Sequence, residues 1–97
     1  MTVVVTEEMV EAFQRDGVVL IKGLWADWVE PLRAGIARNM AEPGPYAAEN
    51  LNPGEGGRFF DDYCNWDRIP EFAEVIRKSE VAEVAAKLMG SQRVQLF

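Results

Sequence analysis

Phe13-Gln14-Arg15-Asp16-Gly17-Val18-Val19-Leu20-Ile21-Lys22-Gly23-Leu24 changes pattern at its first glycine. Residues before Gly17 close a helix, and residues after it are β-branched or aliphatic. Upstream, Thr6 is a good N-cap, and Glu7, Glu8 and Glu11 sit near the positive helix end. The spacing predicts a helix from Glu7 to about Asp16, with Met9, Val10 and Phe13 as its apolar face and Gly17 as its C′ stop. Val18 to Ile21 is short, β-rich and bounded by Gly17 and Gly23, which predicts a buried strand with Lys22 at its wet end. Val3 to Val5 predict a short extended start. A helix followed at once by a strand makes the chain α+β.

The remaining segments extend this reading. Asp27 and Glu30 have capping-box spacing, so a second helix is expected to start near Trp28, with Pro31 in its tolerant first turn. Trp28, Val29, Leu32, Ile36 and Met40 follow helical spacing, while Arg33, Arg38 and Asn39 take the other side. Gly35 inside this helix has two readings: close approach of another backbone, or a tolerated surface position. Residues 42–57 form a long Pro/Gly loop, read either as a surface loop or as a lid or pocket wall. Its Gly-Glu-Gly-Gly run lacks the Gly-Lys-Ser/Thr ending of a phosphate loop. Near Asp67 a third helix begins, with Pro70 near N1 and Ile69, Phe72, Val75 and Ile76 as its buried face. Ser79 ends it and can cap a fourth helix, Glu80 to about Met89, with Val81, Val84, Ala85 and Leu88 inward and Gly90 as the stop. Arg93 to Phe97 reads as a strand cut off by the chain end, so residues 1–97 are expected to be a single incomplete domain, the front of something larger.

Composition narrows the function classes. The chain has 97 residues, enough for one small domain. Its net charge is −6, and its basic residues are scattered, so no footprint for nucleic acid is expected. The first eight residues lack the basic n-region of a signal peptide, and the longest apolar run is far short of a membrane span. The single cysteine excludes an intrachain disulfide and a thiolate zinc cluster, and a reducing, cytoplasmic setting is the default expectation. There is no histidine. A Ser-His-Asp triad, a Cys-His pair or a His-carboxylate iron site therefore cannot be built from this chain alone.

Gly56-Gly57-Arg58-Phe59-Phe60-Asp61-Asp62-Tyr63-Cys64-Asn65-Trp66-Asp67 is the stretch richest in chemistry. Extended, it would alternate Arg58, Phe60, Asp62, Cys64 and Trp66 on one face with Phe59, Asp61, Tyr63 and Asn65 on the other. Neither face is purely apolar, and such a mixture of rings and polar tips is typical of a pocket wall. Asp61 and Asp62 point to opposite faces, so they are expected to be solvated or bonded to N–H groups rather than paired on a metal. Tyr63 and Trp66 read either as core aromatics or as substrate platforms, and Cys64 as a small buried hydrophobe.

The segment order resembles the N-terminal region of the phytanoyl-CoA dioxygenase family. The resemblance rests on Phe13 to Leu24, Gly57-Arg58-Phe59-Phe60, Trp66, Pro70-Glu71-Phe72 and Val81 to Gly90, and it spans nearly the whole chain. It implies an Fe(II)- and 2-oxoglutarate-dependent oxygenase with a double-stranded β-helix (jelly-roll) core that hydroxylates a small organic substrate. This chain would supply about four helices and two or three short strands: the helical shell and first strands of that fold. The family's His-x-Asp motif, distal His and co-substrate Arg belong beyond Phe97, so no metal ligand or catalytic residue is carried over. The resemblance leaves Arg58 as a candidate co-substrate contact, or else a solvated loop arginine, and Phe60, Asp62, Tyr63 and Trp66 as candidate pocket lining. Two other readings stand beside it. One is a stand-alone interaction protein that oligomerises or binds a partner through an exposed apolar face. The other is a small-molecule binder that uses the aromatic stretch without chemistry.

Overall fold

A computed structural model describes residues 5–50 and 53–96. The chain is α+β, with four α-helices and two antiparallel strands among the described residues: α1 (Glu7–Asp16), α2 (Val29–Ala41), β1 (Ala48–Glu49), β2 (Phe60–Asp61), α3 (Pro70–Lys78) and α4 (Val81–Met89). A 3₁₀ turn, Ala26–Trp28, leads into α2.

Local chemistry accounts for the helix ends. The Thr6 hydroxyl accepts the Met9 N–H at 3.2 Å, and Gly17 adopts φ 75° as the left-handed cap of α1. Pro70 occupies the first turn of α3. Ser79 joins α3 to α4: its hydroxyl donates to the Val75 carbonyl and accepts the Val81 N–H at 3.3 Å. Gly90 ends α4 with φ 65°. Asp27 lies within the 3₁₀ turn and Glu30 in the first turn of α2, which starts where the spacing of the two predicts. Trp28 is the N-cap of α2 and makes no side-chain cap bond, because an indole has no acceptor to offer; its N–H closes the 3₁₀ turn on the Trp25 carbonyl at 2.9 Å.

The helices lie side by side, with α2 on α3, α3 beside α4 and α4 on α1. Gln14 of α1 donates to the Leu88 carbonyl at 2.8 Å and so satisfies one of the open carbonyls near the end of α4. The result is a layer of 48 × 28 × 23 Å with a radius of gyration of 16.3 Å, against about 13 Å for a compact domain of this length. The core is correspondingly thin. Among the described residues only Val5, Ile69 and Val84 are buried apolar side chains.

Gly35 has a packing role. A Cβ there would lie 2.7 Å from Phe72 Cε1 and 3.0 Å from Glu71 Cβ, so the glycine lets α2 and α3 approach closely. Overpacking of this kind costs about 1–3 kcal/mol, while alanine returns about 1 kcal/mol of helix propensity. Gly35→Ala is therefore expected to destabilise the chain by up to about 2 kcal/mol in urea unfolding. Phe72→Leu in the same chain should bring the pair's cost below the sum of the single changes.

Three expectations are corrected. Val18 to Ile21 is not a buried strand: it is irregular, with Val18 67% and Leu20 79% exposed. Its β propensity finds no neighbouring strand to pair with among the described residues. Arg93 to Leu96 is likewise irregular, with Leu96 exposed; Phe97, and Val3 and Val4 of the expected extended start, lie outside the described residues. The strands form instead at Ala48–Glu49, inside the long loop, and at Phe60–Asp61, where pairing is local. The apolar stripe of α2 is only partly covered: Val29 and Ile36, two turns apart, are exposed because α3 packs on the Gly35 side.

Candidate functional site

Residues 58–68 connect the ribbon to α3. The β1–β2 ribbon sets their start: Glu49 lies opposite Phe60 and Ala48 opposite Asp61, and the Asn50 N–H donates to the Phe59 carbonyl at 2.7 Å. Arg58 lies beside Glu49, donating Nε to Oε1 at 3.1 Å and Nη2 to the same oxygen. That hydrogen bond, and then the carboxylate charge, raises the Arg58 pKa above its ordinary value. Phe60 is half-buried in β2. Asp61 turns away and accepts from Asn50 Nδ2 at 2.6 Å.

Asp62 is the centre of the arrangement. Its side chain is fully buried. Oδ2 accepts the Gly44 N–H at 3.0 Å, and Oδ1 accepts the Tyr63 N–H at 2.8 Å. The Arg68 guanidinium lies 3.5 Å from Oδ2. Arg68 also donates to the carbonyl of Glu42 and to the side-chain oxygen of buried Asn39, both at 2.8 Å. A Cβ on Gly44 would meet Arg68 Nη2 and Asp62 Oδ2 at 3.2 Å each, so this close approach of the backbone suits glycine. Asp62, Arg68 and Asn39 thus tie the end of α2, the start of the loop and the approach to α3 into one polar clasp. Buried polar groups of this kind are stable only when their partners are in place, which is the case here.

The aromatic residues leave the clasp in different directions. Tyr63 stacks on Tyr46, with centroids 5.0 Å apart and planes at 25°, and both rings are more than half exposed. Trp66 lies under the guanidinium of Arg77 in α3, at 5.4 Å from the ring centroid. Cys64 is corrected from a buried hydrophobe to an exposed residue at φ 56°. It occupies the left-handed position of the turn out of the ribbon, and such turns lie at the surface.

Arg58, Phe60, Asp62, Tyr63 and Trp66 therefore share one stretch of chain but do not converge. None of them is in the wall of the clefts of about 340, 200 and 370 Å³ at Trp25–Trp28, at Val94–Leu96 and at Asp67–Arg77. Among the described residues no group of three or more His, Cys, Asp or Glu could hold a metal ion. Sequence reasoning missed Asn39, Arg68 and Tyr46. The only signal for the first two was an amide one turn before a Pro/Gly loop and an arginine just before Ile69-Pro70.

A second ion pair sits on the α2–α3 seam. Arg38 holds Glu71 with a fork, Nε to Oε1 at 2.8 Å and Nη2 to Oε2 at 3.0 Å. The hydrogen bond from Arg38 is the main cause that lowers the Glu71 pKa below its ordinary value. A lowered carboxylate contributes stability that is fully present above the unfolded-state value, about 4.3, and is lost as pH falls through the folded-state value. Wild type should therefore be more stable than Glu71→Gln at neutral pH, and the gap should close on acidification. Thermal unfolding of both proteins across the acid range checks this, and a gap that widens in acid contradicts it.

Comparison with protein-family models, with curated proteins and with solved structures finds no match to this chain. Among the described residues no helix is long and apolar enough to cross a membrane.

Proposed function

We propose that this chain is the N-terminal shell of a phytanoyl-CoA-dioxygenase-like enzyme, an Fe(II)- and 2-oxoglutarate-dependent hydroxylase of a small organic substrate in a reducing, cytoplasmic setting. The segment order described above suggests the family. The observation that carries the reading is what the helical layer leaves uncovered: Val18, Leu20, Ile36 and Leu96 are each about half exposed or more, with very few buried apolar side chains among the described residues. Large apolar side chains left exposed beside so few buried ones are what a layer made to pack against another would show. In this reading that layer is the jelly-roll core, and the two irregular segments, Val18 to Ile21 and Arg93 to Leu96, acquire strand partners there.

The residues present do not fit the iron. The chain has no histidine, and the buried carboxylate of Asp62 is occupied by two N–H groups. Arg58, the candidate co-substrate contact, is engaged by Glu49. The chain's own contribution is to pack on the core and close one side of it, and Asp62 holds the loop in position rather than holding a reactant.

Calorimetric titration of Fe(II) and 2-oxoglutarate into the isolated chain should show no tight, stoichiometric binding. One-to-one iron uptake overturns the proposal. The same exposed residues favour a second reading, a stand-alone interaction protein. Light scattering on a sizing column separates the two. A loose monomer or open-ended aggregate fits the shell, whereas a monodisperse oligomer that shields Val18, Leu20 and Ile36 fits the interaction protein.

A further inference from the structure

Tyr46 and Tyr63 are the only tyrosines in the chain, and they stack on each other with both rings more than half exposed. We propose that this pair is an oxidative modification site, at which a haem peroxidase with hydrogen peroxide joins the two rings into a dityrosine within one chain. The inference is independent of the dioxygenase reading.

The backbone brings the rings together in two ways. The β1–β2 register sets Ala48 opposite Asp61. Tyr46 lies two residues before Ala48 and Tyr63 two residues after Asp61, so strand alternation carries both rings on the face of that pair. Asp62 then ties the two segments together where the ladder ends. Its carboxylate accepts the Tyr63 N–H at 2.8 Å and the N–H of Gly44, two residues before Tyr46, at 3.0 Å. The Ala47 N–H donates to the Gly44 carbonyl at 3.2 Å and closes the turn around Tyr46. The stack is therefore held from the main chain on both sides.

Contact and exposure both serve the coupling. The ring centroids are 5.0 Å apart, at the close end of the range for touching rings, about 4.5–7 Å. Partners already in contact react without first having to meet, and exposed phenols are open to the oxidant. The peroxidase removes one electron and the phenolic proton from each tyrosine. The two radicals then form one carbon–carbon bond between the ring positions beside the oxygens. The hydrogens on those two carbons move as protons, through water, to the phenol oxygens. The chain loses two hydrogen atoms in all, and one hydrogen peroxide becomes two waters. The product closes a covalent loop over residues 46–63 and constrains the unfolded chain as a disulfide does.

The test treats the full chain with a haem peroxidase and hydrogen peroxide, and mass spectrometry reads the chain mass and the joined peptides. Cys64 is exposed beside Tyr63, and a thiol can return a hydrogen atom to a tyrosyl radical, so every protein carries Cys64→Ser. An intrachain partner acts at a millimolar or higher effective concentration. At about 10 μM protein, monomer lacking two hydrogens should therefore exceed covalent dimer by about a hundredfold. Its joined peptides should contain Tyr46 and Tyr63. The reference is the swap Phe59→Tyr with Tyr63→Phe, which keeps two exposed phenols in the same ribbon. Phe59 is exposed and bonds through its carbonyl to Asn50, four residues from Tyr46 and so about 13 Å along the strand. Intrachain coupling should fall at least several-fold in the swap. Covalent dimer as the main product, or equal intrachain coupling in the swap, would overturn the proposal.

Discussion

Ile69→Ala is expected to lower the unfolding free energy by about 3 kcal/mol, within the 2–5 kcal/mol range for truncating a buried isoleucine. Ile69 is 1% exposed, the most completely buried large side chain among the described residues. It immediately precedes Pro70, and its carbonyl accepts the Ala73 N–H at 3.0 Å, so it also begins the hydrogen bonding of α3. In a core this thin the surrounding helices have little apolar mass with which to fill the cavity. A small domain has a total stability of about 5–15 kcal/mol, so the change removes a large share of it. Ile36→Ala is the control. Ile36 is the same residue type but 52% exposed, and its loss should stay near 0.5 kcal/mol. Urea unfolding of the two variants checks the contrast, and equal costs would mean that Ile69 is not the centre of the core.

Asp62→Ala is expected to cost about 2–3 kcal/mol, because a buried donor left without its acceptor costs about 1–3 kcal/mol. The change orphans two backbone donors, the N–H groups of Gly44 and Tyr63. It also removes the carboxylate beside Arg68, whose side chain is 35% exposed and can recover part of its hydration. Asp62→Asn keeps one acceptor oxygen and should fall between wild type and Asp62→Ala. Arg68→Met removes the other side of the clasp, so the double variant should cost clearly less than the sum of the two single changes. Strict additivity in a double-mutant cycle would show that Asp62 and Arg68 do not act together. A catalytic or metal-binding aspartate at this position predicts a different pattern, since its removal would change ligand binding and leave stability largely unaltered.

The helices were legible because their signals are local. Thr6, Gly17, Pro70 and Gly90 each act on the few residues beside them, and the ends of α1, α3 and α4 follow them closely. The strands were not legible. Val18 to Ile21 has stronger β propensity than Ala48–Glu49 or Phe60–Asp61, yet among the described residues only the weaker pair meets a partner in register. The candidate site was legible in part. Asp62 bonds to N–H groups, as its place in an alternating stretch suggested, but its connection to Arg68 and Asn39 joins residues far apart in sequence. The aromatic residues of the stretch reach Tyr46 and Arg77 rather than one shared wall.

By itself, the sequence determined most helix boundaries, the acidic charge and the absence of histidine, while the α+β class held through strands other than those the sequence suggested. The first three depend on composition and on interactions across one or two turns, which operate whatever the chain packs against. Only the tertiary structure decided that Gly35 is a contact point, that Asp62 is fully buried, that Cys64 is exposed and that Val18 and Leu20 have no cover. Each of these turns on which surfaces meet, and burial and register are set by partners distant in the chain, to which local propensity is blind.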